Sequence, residues 1–167
     1  DDTAHQLLDV LRGNTERLIL HVNNLLEVTQ IQSGTVTLRP SDCDLRTLAE
    51  ECARELRGLA VQREIALTVE PPAEPVAVRV DIERVKTVLR QLLDNAIKFS
   101  RPRGAIRVTT SAEGPAARVR VRDSGKGVAP EEAARIFRPF TQSGPTMTRD
   151  IGGAGLGLYI ARELARL

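Results

Sequence analysis

The stretch VLRQLLDNAIKFS, Val88–Ser100, limits what this chain can fold into more than any other. With a helical period, Val88, Leu89, Leu92, Leu93 and Ala96 form an apolar stripe, which predicts a core-facing helix. Gln91, Asn95 and Lys98 stand at i, i+4 and i+7, so they share one polar face of that helix. A helix this apolar is expected to be covered on most of its circumference. An amide left unpaired in such a place costs about 1–3 kcal/mol. Solvent satisfies that demand as well as a bound ligand does, and this segment alone does not separate the two.

The rest of the chain has to supply what that helix packs against. Residues 3–32 carry a heptad: Ala4, Leu8, Leu11, Thr15, Leu18, Val22, Leu25 and Thr29 fall on alternating three- and four-residue steps. Ile19 and Leu26 widen the stripe toward the packing surface of a helical bundle, so a partner helix is expected. Ser33-Gly34 ends it. TVTLRP (35–40) is a strand candidate stopped by Pro40, and Asp44 is an N-cap candidate for a helix over Leu45–Gln62. Two alternating segments follow, Ile65/Leu67/Val69 and Val76/Val78/Val80, with PPAEP (71–75) as the turn between them. Asp81 is placed to cap the helix described first. Ile106–Thr110 and Val119–Val121 alternate again, a hairpin around Glu113-Gly114-Pro115. Helix, two strands, helix, two strands is not a regular βαβ pattern. It predicts an α+β two-layer sandwich, a mixed and mostly antiparallel sheet with helices on one face, preceded by a long amphipathic helix.

Composition excludes several classes. In 167 residues no apolar run reaches the length of a membrane span, and no membrane contact by this segment is expected. A formal charge of +2 and 2% aromatic residues give neither a basic patch nor a stacking platform for nucleic acid. Cys43 and Cys52 do not make a disulfide framework, and a reducing, cytoplasmic setting is expected. His5 and His21 lack Cys or carboxylate ligands at metal spacing, and His21, beside the heptad stripe, reads as structural. The opening DDTAH, without Met or a signal-like segment, suggests part of something longer.

The chemistry sits after the second hairpin. Asp123-Ser124-Gly125-Lys126-Gly127 places a carboxylate at a strand end, and its glycines let backbone approach a flat ligand. Taken alone, that segment is better explained as an ordinary Asp-Gly turn. Residues 131–150 run from a short helix through Phe137 and Phe140 into a polar loop, expected to be a mobile lid. Gly152-Gly153-Ala154-Gly155-Leu156-Gly157 then opens a helix reaching about Leu167, and free N–H groups there suit phosphate.

Taken in this order, the segments resemble the catalytic ATP-binding domain of sensor histidine kinases, within the GHKL ATPase superfamily and its Bergerat-type fold. LLDNAIKFS is similar to the N box, DSGKGV to the G1 box, IFRPFTQ to the F box and GGAGLGL to the G2 box. The wording from IFRPFTQ to GGAGLGL is most similar to hybrid-type kinases. The likeness covers residues 36–167, while residues 1–35 resemble the second helix of the dimerisation and phosphotransfer hairpin.

The resemblance implies ATP and Mg²⁺ as cofactors, with Asn95 on the metal and Lys98 on phosphate. Gln91 would share the catalytic polar face. Asp123 would read the adenine amine, Gly125 and Gly127 would shape the pocket, and Phe137 and Phe140 would anchor the lid. Gly153, Gly155, Leu156 and Gly157 would wrap the phosphates. The implied partners are a phospho-acceptor histidine on another helix, a response regulator receiver domain, and a second copy through residues 3–32.

Four departures accompany the likeness. Gln91 stands where kinases usually have Asn, Gln142 where many have Arg, and Ala154 where Thr is usual. Neither His5 nor His21 is followed by the acidic residue and Pro of an acceptor motif, so self-phosphorylation is not expected. The family also continues past the point of Leu167 into further strands, whose loss would expose the sheet edge. A degenerate kinase domain serving as a regulatory or dimerisation module is the alternative. A gyrase-, chaperone- or repair-type ATPase fits less well. Those enzymes place a Glu general base where Gln91 stands, and an amide cannot take that proton.

Overall fold

The computed structural model describes residues 2–141 and 154–167. Two compact units divide the chain, Asp1–Val36 and Thr37–Leu167. The first is a single helix, α1 (Asp2–Gln32). It stops where Gly34 adopts a φ of +66°, with the Ser33 N–H still bonded to the Thr29 carbonyl. Thr15 and Thr29 turn their hydroxyls back onto the carbonyls of Leu11 and Leu25 instead of breaking the helix. Leu8, Leu11, Leu18, Val22 and Leu25 are each 50–64% exposed.

The second unit begins later than its sequence suggests. Residues 35–40 take no regular structure, and the first strand is β1 (Ser41–Asp44). Two local facts hold the ladder back: Pro40 has no N–H to give, and the Arg39 N–H is taken by Asp81 Oδ2 at 2.8 Å. Asp44 caps α2 (Leu45–Gln62) by accepting from the Arg46 N–H at 2.8 Å. β2 (Ala66–Glu70) and β3 (Ala77–Val80) follow, and then α3 (Ile82–Phe99). Asp81 caps α3 through the Arg84 N–H at 3.1 Å, as its position predicts. β4 (Ala105–Glu113) and β5 (Ala116–Arg122) form the expected hairpin. Two short helices close the described chain, α4 (Pro130–Ala133) and α5 (Gly157–Leu164).

β2 and β3 do not pair across PPAEP. β3 lies antiparallel to β1, Ser41 opposite Val80, while β2 runs parallel to β4, Ala66 opposite Ala105. Pro71, Pro72 and Pro75 deprive the connection of donors, so it carries the chain from one sheet to the other instead of folding a tight turn. The result is a two-stranded sheet, β1-β3, and a three-stranded mixed sheet, β2-β4-β5.

The core fills one face of the larger sheet. Ile106 and Val108 of β4 meet Leu48, Ala49 and Cys52 of α2 and Leu89, Leu93, Ala96 and Ile97 of α3. Val88 and Leu92 are only partly buried, so the buried stripe is centred one residue further round the helix than the spacing alone suggests. Burying each such Leu or Ile side chain contributes about 1.5–3 kcal/mol. α5 packs on α3 and buries Ile160, Ala161 and Leu164. Two ion pairs link α2 to α3, Lys86 to Glu51 and Arg90 to Glu55, each at 2.7 Å. The Arg90 guanidinium holds the Glu55 carboxyl below its ordinary value. The sheet's other face is polar and basic: Arg118, Arg120 and Arg122 alternate along β5 with half-buried Val119 and Val121, and Arg122 stands opposite Arg107. No described helix is long and apolar enough to cross a membrane.

Candidate functional site

α3 presents Gln91, Asp94, Asn95 and Lys98 on one partly exposed face. The Lys98 ammonium reaches back one turn to Asp94 Oδ2 at 2.5 Å. The Asn95 carboxamide makes no hydrogen bond to another described residue, so its oxygen and its N–H groups remain open to something outside them. Arg63 donates to the Lys98 carbonyl at 3.3 Å, satisfying one acceptor at the helix C-terminus.

That C-terminus is tied to the Asp123 loop. Ser100 and Gly125 form an antiparallel bridge. The Gly125 N–H donates to Asp123 Oδ1 at 2.7 Å, which fixes the carboxylate and leaves Oδ2 without a described partner. A Cβ at Gly125 would stand 2.6 Å from both Asp123 Oδ1 and the Phe99 carbonyl oxygen, so only glycine fits. The Ser124 hydroxyl accepts from the Ala105 N–H at 2.9 Å, holding the loop against the start of β4. Gly127 has a φ of +74°. Asp123, Asn95 and Lys98 therefore belong to one rigid junction of strand end and helix end.

The third side of the site is α5. Its N-cap, Leu156, is buried and has no side-chain acceptor of its own to offer the first-turn N–H groups. Gly157 abuts the Gln91 carboxamide closely enough that an added Cβ would displace it. Gly155, at a φ of +69°, lies backbone against backbone on Phe140 and Thr141, where a Cβ would fall 2.7 Å from the Thr141 carbonyl oxygen. Phe137 is half-buried; Phe140 is 66% exposed and itself sits at a φ of +60°, a conformation that costs a non-glycine residue roughly 1–2 kcal/mol. Of the predicted site residues, Gly153 lies outside the described residues, as do Gln142 and the loop expected to form a lid.

Three participants were not singled out by sequence. Asp94, at i−4 from Lys98, is visible in the helical spacing once a counter-ion for the lysine is sought. The Phe99 and Thr141 carbonyls, which line the glycine contacts, have no signature because backbone atoms are shared by every residue type.

Strand-end carboxylate, amide-and-lysine helix face and glycine-opened helix are brought together on an α+β sandwich. The chain belongs to the family of histidine kinase-, DNA gyrase B- and HSP90-like ATPases, whose family model matches residues 80–167, more than half of its length. The similar proteins are sensor histidine kinases, the family that the sequence resembles. Sensor histidine kinase MtrB of Mycobacterium tuberculosis strain H37Rv is 35% identical over 167 residues, covering 100% of this chain and 29% of MtrB. The crystal structure of full-length ShkA in complex with AMPPNP superposes with a TM-score of 0.79 at 30% identity, covering 97% of this chain and 33% of that one. Histidine kinase ThkA in complex with response regulator protein TrrA gives a TM-score of 0.70 at 25% identity, covering 91% of this chain and 45% of that one. The chain spans less than a third of the length of the curated relatives it matches.

Proposed function

We propose that this chain is the ATP-binding catalytic part of a two-component sensor kinase, which transfers the γ-phosphoryl group of ATP to a histidine on a partner helix. The observation that carries the reading is the Ser100–Gly125 bridge, which sets the Asp123 carboxylate and the Asn95/Lys98 face in a fixed relation. Asp123 Oδ2 would accept from the adenine amine, with Gly125 and Gly127 giving the ring its approach. Lys98 and the α5 N–H groups behind Gly153, Gly155, Leu156 and Gly157 would meet the phosphates. Phe137 and Phe140 would anchor the segment that covers them.

Asn95 and Gln91 offer hard carboxamide oxygens, the donor type that suits Mg²⁺, and the Asn95 oxygen has no described partner to surrender. When bound there, Mg²⁺ would neutralise charge on the phosphates. The chain's own contribution is positioning: a rigid adenine contact, a cation and a helix dipole aimed at one point. The AMPPNP complex of ShkA supports the nucleotide assignment, and the ThkA–TrrA complex supports a response regulator as partner.

Within this reading, residues 1–35 form the second helix of a dimerisation hairpin and residues 36–167 the ATP-binding domain, on the cytoplasmic side of the cell. The exposed leucines of α1 support a helical partner. Calorimetric titration with ADP and AMPPNP, with and without Mg²⁺, tests the assignment. Saturable binding that strengthens with Mg²⁺ is expected, and Asn95→Ala should remove the Mg²⁺ dependence while leaving the fold intact. A folded chain that binds neither nucleotide would instead favour a regulatory module, for which the Gln91 departure is the sequence argument.

A further inference from the structure

We infer that Asp94 sets how tightly this site holds phosphate, because its carboxylate competes with the nucleotide for Lys98. The inference rests on the nucleotide reading above and adds a residue with no assigned role. Lys98 Nζ and Asp94 Oδ2 are 2.5 Å apart, and their side chains are only 24% and 29% exposed. A pair this close and this shielded is screened less by water and salt than a fully exposed one.

Asp94 and Lys98 are one helical turn apart, so the contact costs no distortion of α3. The helix end itself is held in place, since Arg63 bonds the Lys98 carbonyl and Ser100 bridges Gly125. The lysine can therefore change partner by rotating its own side chain, without moving the helix.

Two consequences follow from charge alone. An incoming phosphate must replace a carboxylate already on Lys98, and it must also approach that carboxylate's negative charge. Both oppose phosphate and neither touches adenine, whose contact lies on the Asp123 loop. Asp94 thus acts on the ratio of affinities for a nucleotide and its bare nucleoside, and it makes the site lean on a divalent cation to offset the repulsion.

The test is chemical-shift titration of the chain in EDTA with ADP and with adenosine, comparing wild type, Asp94→Asn and Asp94→Glu. Asp94→Asn should bind ADP about three- to tenfold more tightly, the range expected from removing one partly shielded pair, with adenosine unchanged. Asp94→Glu, which still reaches Lys98 from i−4, should keep the wild-type ratio. Asp94→Ser replaces Asp94→Asn should the latter misfold, with the same gain expected. An unchanged or lower ADP-to-adenosine preference in a folded, charge-free variant overturns the inference while leaving the nucleotide site standing. An Asp94→Glu variant that behaves like Asp94→Asn overturns it too, since shape and not charge would then be responsible. A wild-type chain that binds neither ligand defeats both the site and the inference.

Discussion

Gly125 has no room for a side chain. Its missing Cβ is what allows the Asp123 carboxylate and the Phe99 carbonyl to approach to the distances seen. Gly125→Ala should therefore push the loop away from α3, with a cost of about 1–3 kcal/mol in urea denaturation and a weakening of ADP that exceeds any effect on inorganic triphosphate. Gly127→Ala is the matching control: nothing lies within 4 Å of its Cβ position, so only the strain of a φ of +74° is felt, about 1 kcal/mol. At this scale the sequence was informative wherever a residue type is forced by geometry. The DSGKG spacing announces a tight loop because few residues other than glycine tolerate it. Asp94 drew no notice because an acid on a partly exposed helix face is commonplace, and only its spacing to Lys98 distinguishes it.

α3 is the element on which the site is built, and its two ends are held by different means. At its start, Asp81 accepts from both Arg84 and Arg39, the second of which also keeps β1 from starting earlier. These two N–H groups, Arg39's first, hold the Asp81 carboxyl below its ordinary value of 3.8, while Arg90 holds Glu55 below 4.5. A depressed carboxyl stabilises the fold fully above its unfolded value and loses that contribution as pH falls through its folded value. The melting temperature should accordingly be flat above about pH 5 and decline below it. Asp81→Asn should flatten the acid end of that profile, and Asp81→Ala should in addition cost about 1 kcal/mol near neutral pH, the usual value of a helix cap. A profile unaltered in Asp81→Asn would remove Asp81 from the acid response. α3 and its cap were readable because capping and periodicity are local. β1 and the β2–β4 pairing were not, because strand partners are chosen by packing across dozens of residues.

For the whole molecule, the exposed heptad of α1 matters most. Leu18 and Leu25 are 64% and 52% exposed, a burden that a second helix would relieve. Sedimentation equilibrium at tens of micromolar should show a dimer, and replacing both leucines by Glu should give a folded monomer. A wild-type monomer, or a variant that stays dimeric, would exclude α1 as the interface. The basic face of the larger sheet bears on the same question from the other side. Two copies meeting antiparallel along β5 would set Arg120 and Arg122 of one against the guanidiniums of the other, while Arg118 is held by Glu113 at 2.7 Å. Like charges in that position repel, so growth of a continuous sheet from molecule to molecule is blocked at low ionic strength. The protection is only as long-ranged as the ion atmosphere allows, about 10 Å at 0.1 M salt and 3 Å at 1 M. Concentrated salt is therefore the condition under which this domain is most prone to fibrous precipitation.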